Sequence, residues 1–419
     1  MSVSREELLN KLLKEKGMNF LFLHRNFPAQ FRHILIELSK NPLNLLIFIT
    51  NNDGLNLPGV NKLFYPVEKR PDGSCHNYLS TYEEAVLHGQ GAANMAMSLK
   101  KRGIKPDIVY GHSWGPPMFM KDIFPDVPLL CYFEWFNNAE GADLGFDGTI
   151  LTTDQMAHAR CNNSVLLLDL ESCDAGITPT HWQKSQFPKE FHHKIKVLHD
   201  GVNTDWCHPD KNAKFVFQKG EKTFEFSAED EVITYTTRGM EPYRGFPEFM
   251  KAISILQKKR PNAHFVIAGE DVVCYGSSNQ GSYKEKLLKE YEYDMERTHF
   301  VGTLAHAEYI KLLQISSAHI YLTVPFILSW SVLDAMACGC CVVASSTPPV
   351  LEVIQDNYNG LLFDFYDIDG LVDRVEYAID NKEKMKEIRK NAVQTILDNY
   401  DFKKLLPQHI EYIRSLVNK

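Results

Sequence analysis

Short apolar runs of strand length alternate with amphipathic helical patterns to about residue 200, and the same rhythm restarts beyond residue 210. A helix between two neighbouring strands carries the chain back across the sheet, so the strands it joins run parallel and both sheet faces are covered. The expectation is an α/β protein of two doubly wound, Rossmann-like domains. In the first half, Phe20–His24, Leu45–Ile49, Ile108–Tyr110, Leu129–Tyr132, Val165–Leu168 and Ile195–Leu198 read as strands, with helices over Pro28–Ser39 and Thr81–Lys101. In the second half, Val232–Tyr235, Phe265–Ala268, Thr298–Val301, Ile320–Thr323 and Cys341–Ala344 read as strands, separated by helices near 245–258, 283–292, 306–315 and 330–338. The polar stretch Asp205–Glu231 reads as the join, giving domains at 1–207 and 208–398. The tail, 399–419, carries Leu405, Ile410, Ile413 and Leu416 on one stripe and is expected to pack back on the first domain. Residues 4–16, with Leu8, Leu9, Leu12 and Leu13, form a second amphipathic pattern, also expected to pack on that domain.

Composition narrows the function. Lys and Arg total 45 against 53 Asp and Glu, a net charge of −8, which disfavours a grip on long nucleic acid through its phosphates. Nine cysteines, an odd number in no framework spacing, suit a reducing cytoplasm. Cys338, Cys340 and Cys341 read as small core residues, and no metal site is expected there. Met1–Lys16 mixes charges throughout and does not read as a signal peptide. No apolar run approaches membrane-spanning length, so contact with a membrane would be peripheral, at its inner face.

Open α/β sheets bind ligands beyond the carboxyl ends of their strands, so the cleft between domains is the expected site. The stretch Val324–Ala344 follows a strand and opens a helix; Ser329, Trp330 and Ser331 stand at its start, where backbone N–H groups suit phosphate. Asp334, one turn further on, either accepts hydrogen bonds from a ribose diol or is a solvated acid favoured by the helix dipole. Arg238 and Arg244, each followed by glycine, either reach one diphosphate together or pair with an acid such as Glu241. His112, between Gly111 and Gly115, either faces a ligand or caps and packs. Glu134 either contacts a hydroxylated substrate or pairs with a first-domain arginine. The His24–Gln30 region and the loop 137–147 are acceptor-side candidates by position. No convincing Asp-x-Asp metal motif stands at a strand end, and Asp169-Leu-Glu171, the nearest, reads as structural, so neither metal nor other cofactor is expected.

The second half resembles the family 4 glycosyltransferases of the GT-B fold. The resemblance is carried, in order, by Arg238, Arg244-Gly245, Phe265-Val-Ile-Ala-Gly269, Phe300-Val-Gly302, Leu333-Asp-Ala-Met-Ala-Cys-Gly339, Pro349-Val-Leu-Glu352 and Asn359-Gly-Leu-Leu. Upstream, Lys196–Asp205 resembles the family's hinge-proximal segment, and His112 matches a first-domain histidine. The resemblance implies transfer of a sugar from a nucleotide-diphosphate donor to a sugar- or lipid-linked hydroxyl acceptor, with retention of configuration. It implies that Arg238 and Arg244 hold the diphosphate and that Asp334 binds ribose. Gly302, Gly269 and their neighbours would line the nucleotide pocket, and His112 would touch the donor sugar. Of the family's paired glutamates, the second falls on Asp334 and the first on Phe326, which cannot offer the usual carboxylate to the sugar. The family's usual lysine is Arg244, and its turn glycine is Ser329. A non-catalytic nucleotide-sugar-binding subunit and a GT-B epimerase are the rival functions.

Overall fold

The computed structural model describes residues 17–67, 75–276 and 281–417. The helical pattern expected at 4–16 lies outside the described residues. The chain divides into two compact units, one running to Asp200 and resumed from Leu405, the other Gly201–Lys404.

The first unit holds a seven-stranded, wholly parallel sheet of β1 (Asn19–Leu23), β2 (Leu45–Thr50), β3 (Asn61–Phe64), β4 (Ile108–His112), β5 (Leu129–Tyr132), β6 (Ala175–Thr178) and β7 (Ile195–Val197). Their spatial order is β3-β2-β1-β4-β5-β6-β7. The chain winds outward from β1 in one direction and then, from β4, in the other. The carboxyl ends of β1 and β4 therefore flank the switch point, where no connection covers the sheet end. Leu21, Leu23, Ile47, Ile49, Val109 and Leu129 fill the core on one face.

The run Val165–Leu168, expected as a strand, lies instead in the helix Ser164–Ser172. Four consecutive apolar residues fit a buried helix as well as a strand, and here Val165, Leu166, Asp169 and Leu170 are the buried face. The strand of that region is β6, a short Ala-Gly-Ile-Thr segment with little apolar signal.

In the second unit the expected polar join contains a hairpin of β8 (Lys214–Lys219) and β9 (Lys222–Ser227), turning through Gly220 and Glu221. Its alternating charged and aromatic residues put Phe215 and Phe226 into the core against Val266 and Leu312. The boundary between units falls earlier, at Asp200–Gly201. A six-stranded parallel sheet follows, of β10 (Val232–Gly239), β11 (His264–Glu270), β12 (Thr298–Gly302), β13 (Ala318–Tyr321), β14 (Val342–Ser345) and β15 (Leu361–Phe363), in the order β12-β11-β10-β13-β14-β15. Its switch point lies between β10 and β13.

The final helix, Phe402–Val417, buries Leu405, Leu406, His409, Ile413 and Leu416. His409 Nε2 meets the carbonyl of His199 at 3.0 Å, and the Lys196 ammonium sits 4.4 Å from the centre of the Tyr412 ring. No helix among the described residues is long and apolar enough to cross a membrane.

Candidate functional site

A cavity of about 730 Å³ opens at the carboxyl ends of β10, β11 and β13, at the switch point of the second sheet. Arg238 and Arg244 both line it, as do Gly269, Ser329, Trp330, Ser331 and Asp334. Beyond the end of β12 its wall is Thr303 and Leu304 rather than Gly302.

The two arginines are built differently. Arg238 ends β10 with an exposed side chain. Arg244 is buried, and its Nη1 donates to Thr323 Oγ1 at 2.8 Å and to the Ile327 carbonyl at 3.0 Å. Its guanidinium lies 5.3 Å from the Tyr275 ring centre and 6.0 Å from that of Phe326. Gly245 follows because no side chain fits: φ is +63°, and a Cβ would stand 2.4 Å from Leu322 Cβ. Neither arginine forms an ion pair with Glu241, whose Oε2 instead accepts the backbone N–H groups of Cys274 and Tyr275. The acid-pairing alternative for the arginines therefore does not hold for Glu241, and two guanidinium groups face one cavity.

Phe326 is buried edge-on against Tyr243 (5.3 Å) and Tyr275 (5.2 Å). Tyr243, Tyr275 and Phe326 form an aromatic cluster, two of whose rings adjoin the Arg244 guanidinium.

Ser329 caps the helix Trp330–Ala337, its hydroxyl accepting the Ser331 N–H. The Ser329 N–H donates to the Tyr321 hydroxyl at 2.9 Å. Two of the N–H groups expected to await phosphate thus already have protein partners. Asp334 is not a solvated first-turn acid. Its Oδ2 accepts from the Tyr309 hydroxyl at 3.2 Å and its Oδ1 from the Cys207 thiol at 3.6 Å. Burial pushes its carboxyl up to about 6, against the pull of those two donors. The folded state therefore holds this proton more tightly than the unfolded chain, and stability falls as pH rises from about 4 through 6. Asp334→Asn is expected to raise the melting temperature at pH 7, by an amount corresponding to on the order of 1–2 kcal/mol, and to lose that advantage by pH 4. Melting curves of both proteins across that range check it; a constant offset would contradict the assignment.

In the first unit, His112 ends β4 at the other switch point. Its Nδ1 meets the Ser113 carbonyl at 2.7 Å, and its buried Nε2 lies 3.6 Å from Glu134 Oε2. The ring stacks on Tyr132 and stands edge-on to His24, with centroids 5.5 and 4.5 Å apart. Gln30 donates to Glu134 Oε1 at 3.0 Å. Burial, reinforced by His112, holds the His24 imidazole well below its ordinary range and so neutral. Arg25 pairs with Glu84 and the Trp114 carbonyl. Glu134 is thus gathered with His112 and Gln30, while the first-unit Arg25 is engaged elsewhere.

Asp169 lies within a helix and accepts from Ser113 Oγ at 2.5 Å, a structural role. Cys338, Cys340 and Cys341 are buried; Cys340 donates to the Leu313 carbonyl, and Cys341 contacts Met385 Sδ. Among the described residues no three His, Cys, Asp or Glu side chains gather to hold a metal ion. Sequence reasoning missed Tyr309, Cys207 and Tyr275, which come from distant segments with no local signal.

A model of the glycosyl transferase family 4 group matches residues 43–207, and one of the glycosyl transferases group 1 matches residues 218–395. An uncharacterized glycosyltransferase of Methanocaldococcus jannaschii is 33% identical over 91 residues, which are 22% of this chain and 23% of that relative. The chain thus matches under a quarter of that relative's length. Among solved structures, Anabaena HepE in complex with UDP-glucose superposes with a TM-score of 0.69 at 15% identity, over 95% of this chain and 100% of that one. Sucrose-phosphate synthase from Thermosynechococcus elongatus superposes with a TM-score of 0.72 at 14% identity, over 95% of this chain and 99% of that one. At such identities the likeness speaks for the fold.

Proposed function

The chain belongs to the family 4 glycosyltransferases of the GT-B fold, and on that premise we propose that it moves a hexosyl group from a UDP-sugar to a hydroxyl acceptor with retention of configuration and without a metal ion. The observation that carries this reading is the pair of guanidiniums, Arg238 and Arg244, lining one cavity at the switch point. The UDP and UDP-glucose held by HepE, a protein of the same fold, support that donor class. The acceptor is a sugar- or lipid-linked alcohol.

The chemical difficulty is the leaving group. As the anomeric C–O bond breaks, negative charge builds on the diphosphate while the sugar carbon becomes cationic. Fixed guanidiniums that bind more strongly as that charge grows lower the barrier. The acceptor oxygen then bonds to the anomeric carbon on the face the diphosphate leaves, and the departing phosphate oxygen takes the acceptor's proton. Asp334 would bind the ribose diol, exchanging its bonds from Tyr309 and Cys207 for those of the ligand. Gly269, Gly302 and Ser329–Ser331 would border the nucleotide, and His112 would hydrogen-bond the donor sugar. The odd count of nine cysteines, in no framework spacing, supports a cytoplasmic setting, with a lipid-linked acceptor met at the membrane's inner face.

Phe326 favours the second reading, a nucleotide-sugar-binding subunit without catalysis, since an aromatic ring cannot orient sugar hydroxyls. The test is a melting-temperature screen with UDP-, GDP- and ADP-sugars, followed by product analysis with an acceptor panel and without acceptor. A ligand at 100 times its Kd adds about 2.7 kcal/mol to stability. One UDP-sugar is expected to raise the midpoint by several degrees and to yield a glycosylated acceptor. Binding without transfer or hydrolysis would support the subunit reading, and a changed free sugar without acceptor would support the epimerase.

A further inference from the structure

We propose that Glu241 is a positioning residue of the donor site, pinning the segment 271–276 to the arginine-bearing loop and balancing the charge of Arg238 and Arg244 while no diphosphate is bound. The inference rests on the cavity's being a diphosphate site only in its second half.

Glu241 has no solvent exposure, yet it forms no ion pair within 4 Å among the described residues. Its Oε2 takes the backbone N–H groups of two consecutive residues, Cys274 and, at 2.8 Å, Tyr275. Its Oε1 is buried with no hydrogen-bond partner. Glu241 thus fixes a segment that itself lines the cavity through Val272, Cys274 and Tyr275. The same segment lies directly on the arginine loop: a Cβ on Gly239 would stand 2.6 Å from the Val272 carbonyl oxygen. The Tyr275 ring then supports the Arg244 guanidinium. One carboxylate therefore sets a wall of the cavity and, through that wall, the arginine.

Pinning alone does not require a charge. A glutamine oxygen would accept the same two N–H groups without the cost of burying a carboxylate whose other oxygen is unbonded. What the charge adds is electrostatic: burial pushes the Glu241 carboxyl up, and the guanidiniums of Arg244 and Arg238, on the same short loop as Glu241, oppose that rise. Two like charges converging on one cavity repel, and an anion on their own loop relieves that repulsion. The same anion opposes an incoming diphosphate, so it sets how easily the nucleotide product leaves.

The two functions separate by substitution. In the ligand-free protein, Glu241→Ala is expected to speed amide hydrogen exchange at Cys274 and Tyr275 at least tenfold, whereas Glu241→Gln leaves it within about twofold of the wild type. UDP titrated by calorimetry at low salt is expected to bind Glu241→Gln about tenfold more tightly than the wild type, and Glu241→Ala more weakly. Equal exchange in all three proteins would overturn the pinning role. An unchanged or weakened UDP affinity in Glu241→Gln would overturn the charge-balancing role. A wild-type protein that binds no nucleoside diphosphate would instead refute both the proposed function and this balancing role, while the exchange measurement still decides the pinning.

Discussion

Arg238→Ala is expected to lower kcat for sugar transfer by about 100-fold or more while leaving the melting temperature close to that of the wild type. The first half of that expectation comes from charge. A guanidinium that meets the departing diphosphate stabilises the transition state more than the ground state, and a loss of about 2.7 kcal/mol there is a hundredfold in rate. The second half comes from the fold. Arg238 is exposed at the end of β10 and makes no hydrogen bond or ion pair among the described residues, so its removal leaves no buried acceptor stranded. Steady-state rates with a UDP-sugar donor and melting curves on the same preparation check both halves. Turnover near that of the wild type removes Arg238 from the mechanism.

How much of this site was legible in the sequence depends on how local each signal is. The strands bearing it, β10, β11 and β13, are compact apolar runs bounded by turn residues, and their alternation with helices fixes the parallel order. Arg238-Gly239 and Arg244-Gly245 are legible because a glycine after a strand end marks backbone that comes close to something else; at Gly245 that something is Leu322. What was hidden lies in contacts across long sequence separations. Asp334 reads equally as a ribose ligand or a solvated acid until Tyr309 and Cys207, 25 and 127 residues away, are seen to hold it. Glu241 reads as one alternative partner for the arginines, and only the fold shows its oxygen turned to the backbone of Cys274 and Tyr275. The hairpin β8–β9 escaped because one face is solvated, so its strands alternate charged and aromatic residues instead of forming an apolar run.

Phe326 shows how a cluster of rings seats a cation. Phe326 packs edge to face on Tyr243 and Tyr275, and the rings of Tyr275 and Phe326 lie 5.3 and 6.0 Å from the Arg244 guanidinium. Aromatic faces hold a cation through their quadrupole, and Arg suits that seat better than Lys because its plane can stack. Tyr275 and Phe326 thus form an aromatic seat suited to the planar guanidinium of Arg244.

That argument sets the expectation for Arg244. Arg244→Ala is expected to cost activity as heavily as Arg238→Ala, by about 100-fold or more in kcat/KM, and stability as well. The guanidinium is buried and satisfies Thr323 Oγ1 and the Ile327 carbonyl, and hydrogen bonds from a charged donor contribute about 1.5–3 kcal/mol. A loss of about 2–3 kcal/mol in a unit of this size lowers the melting temperature by roughly 4–12 °C. Arg244→Lys separates the two roles. An ammonium keeps the positive charge but is a single point. If it reaches the diphosphate it abandons Thr323, Ile327 and the rings; if it stays with them it leaves the phosphate. The lysine variant is therefore expected to recover activity or stability, but not both. An alanine variant that melts like the wild type would end the anchoring role, and one that turns over like the wild type would end the phosphate-binding role. A lysine variant restored in both would show that the aromatic seat does not depend on a planar cation.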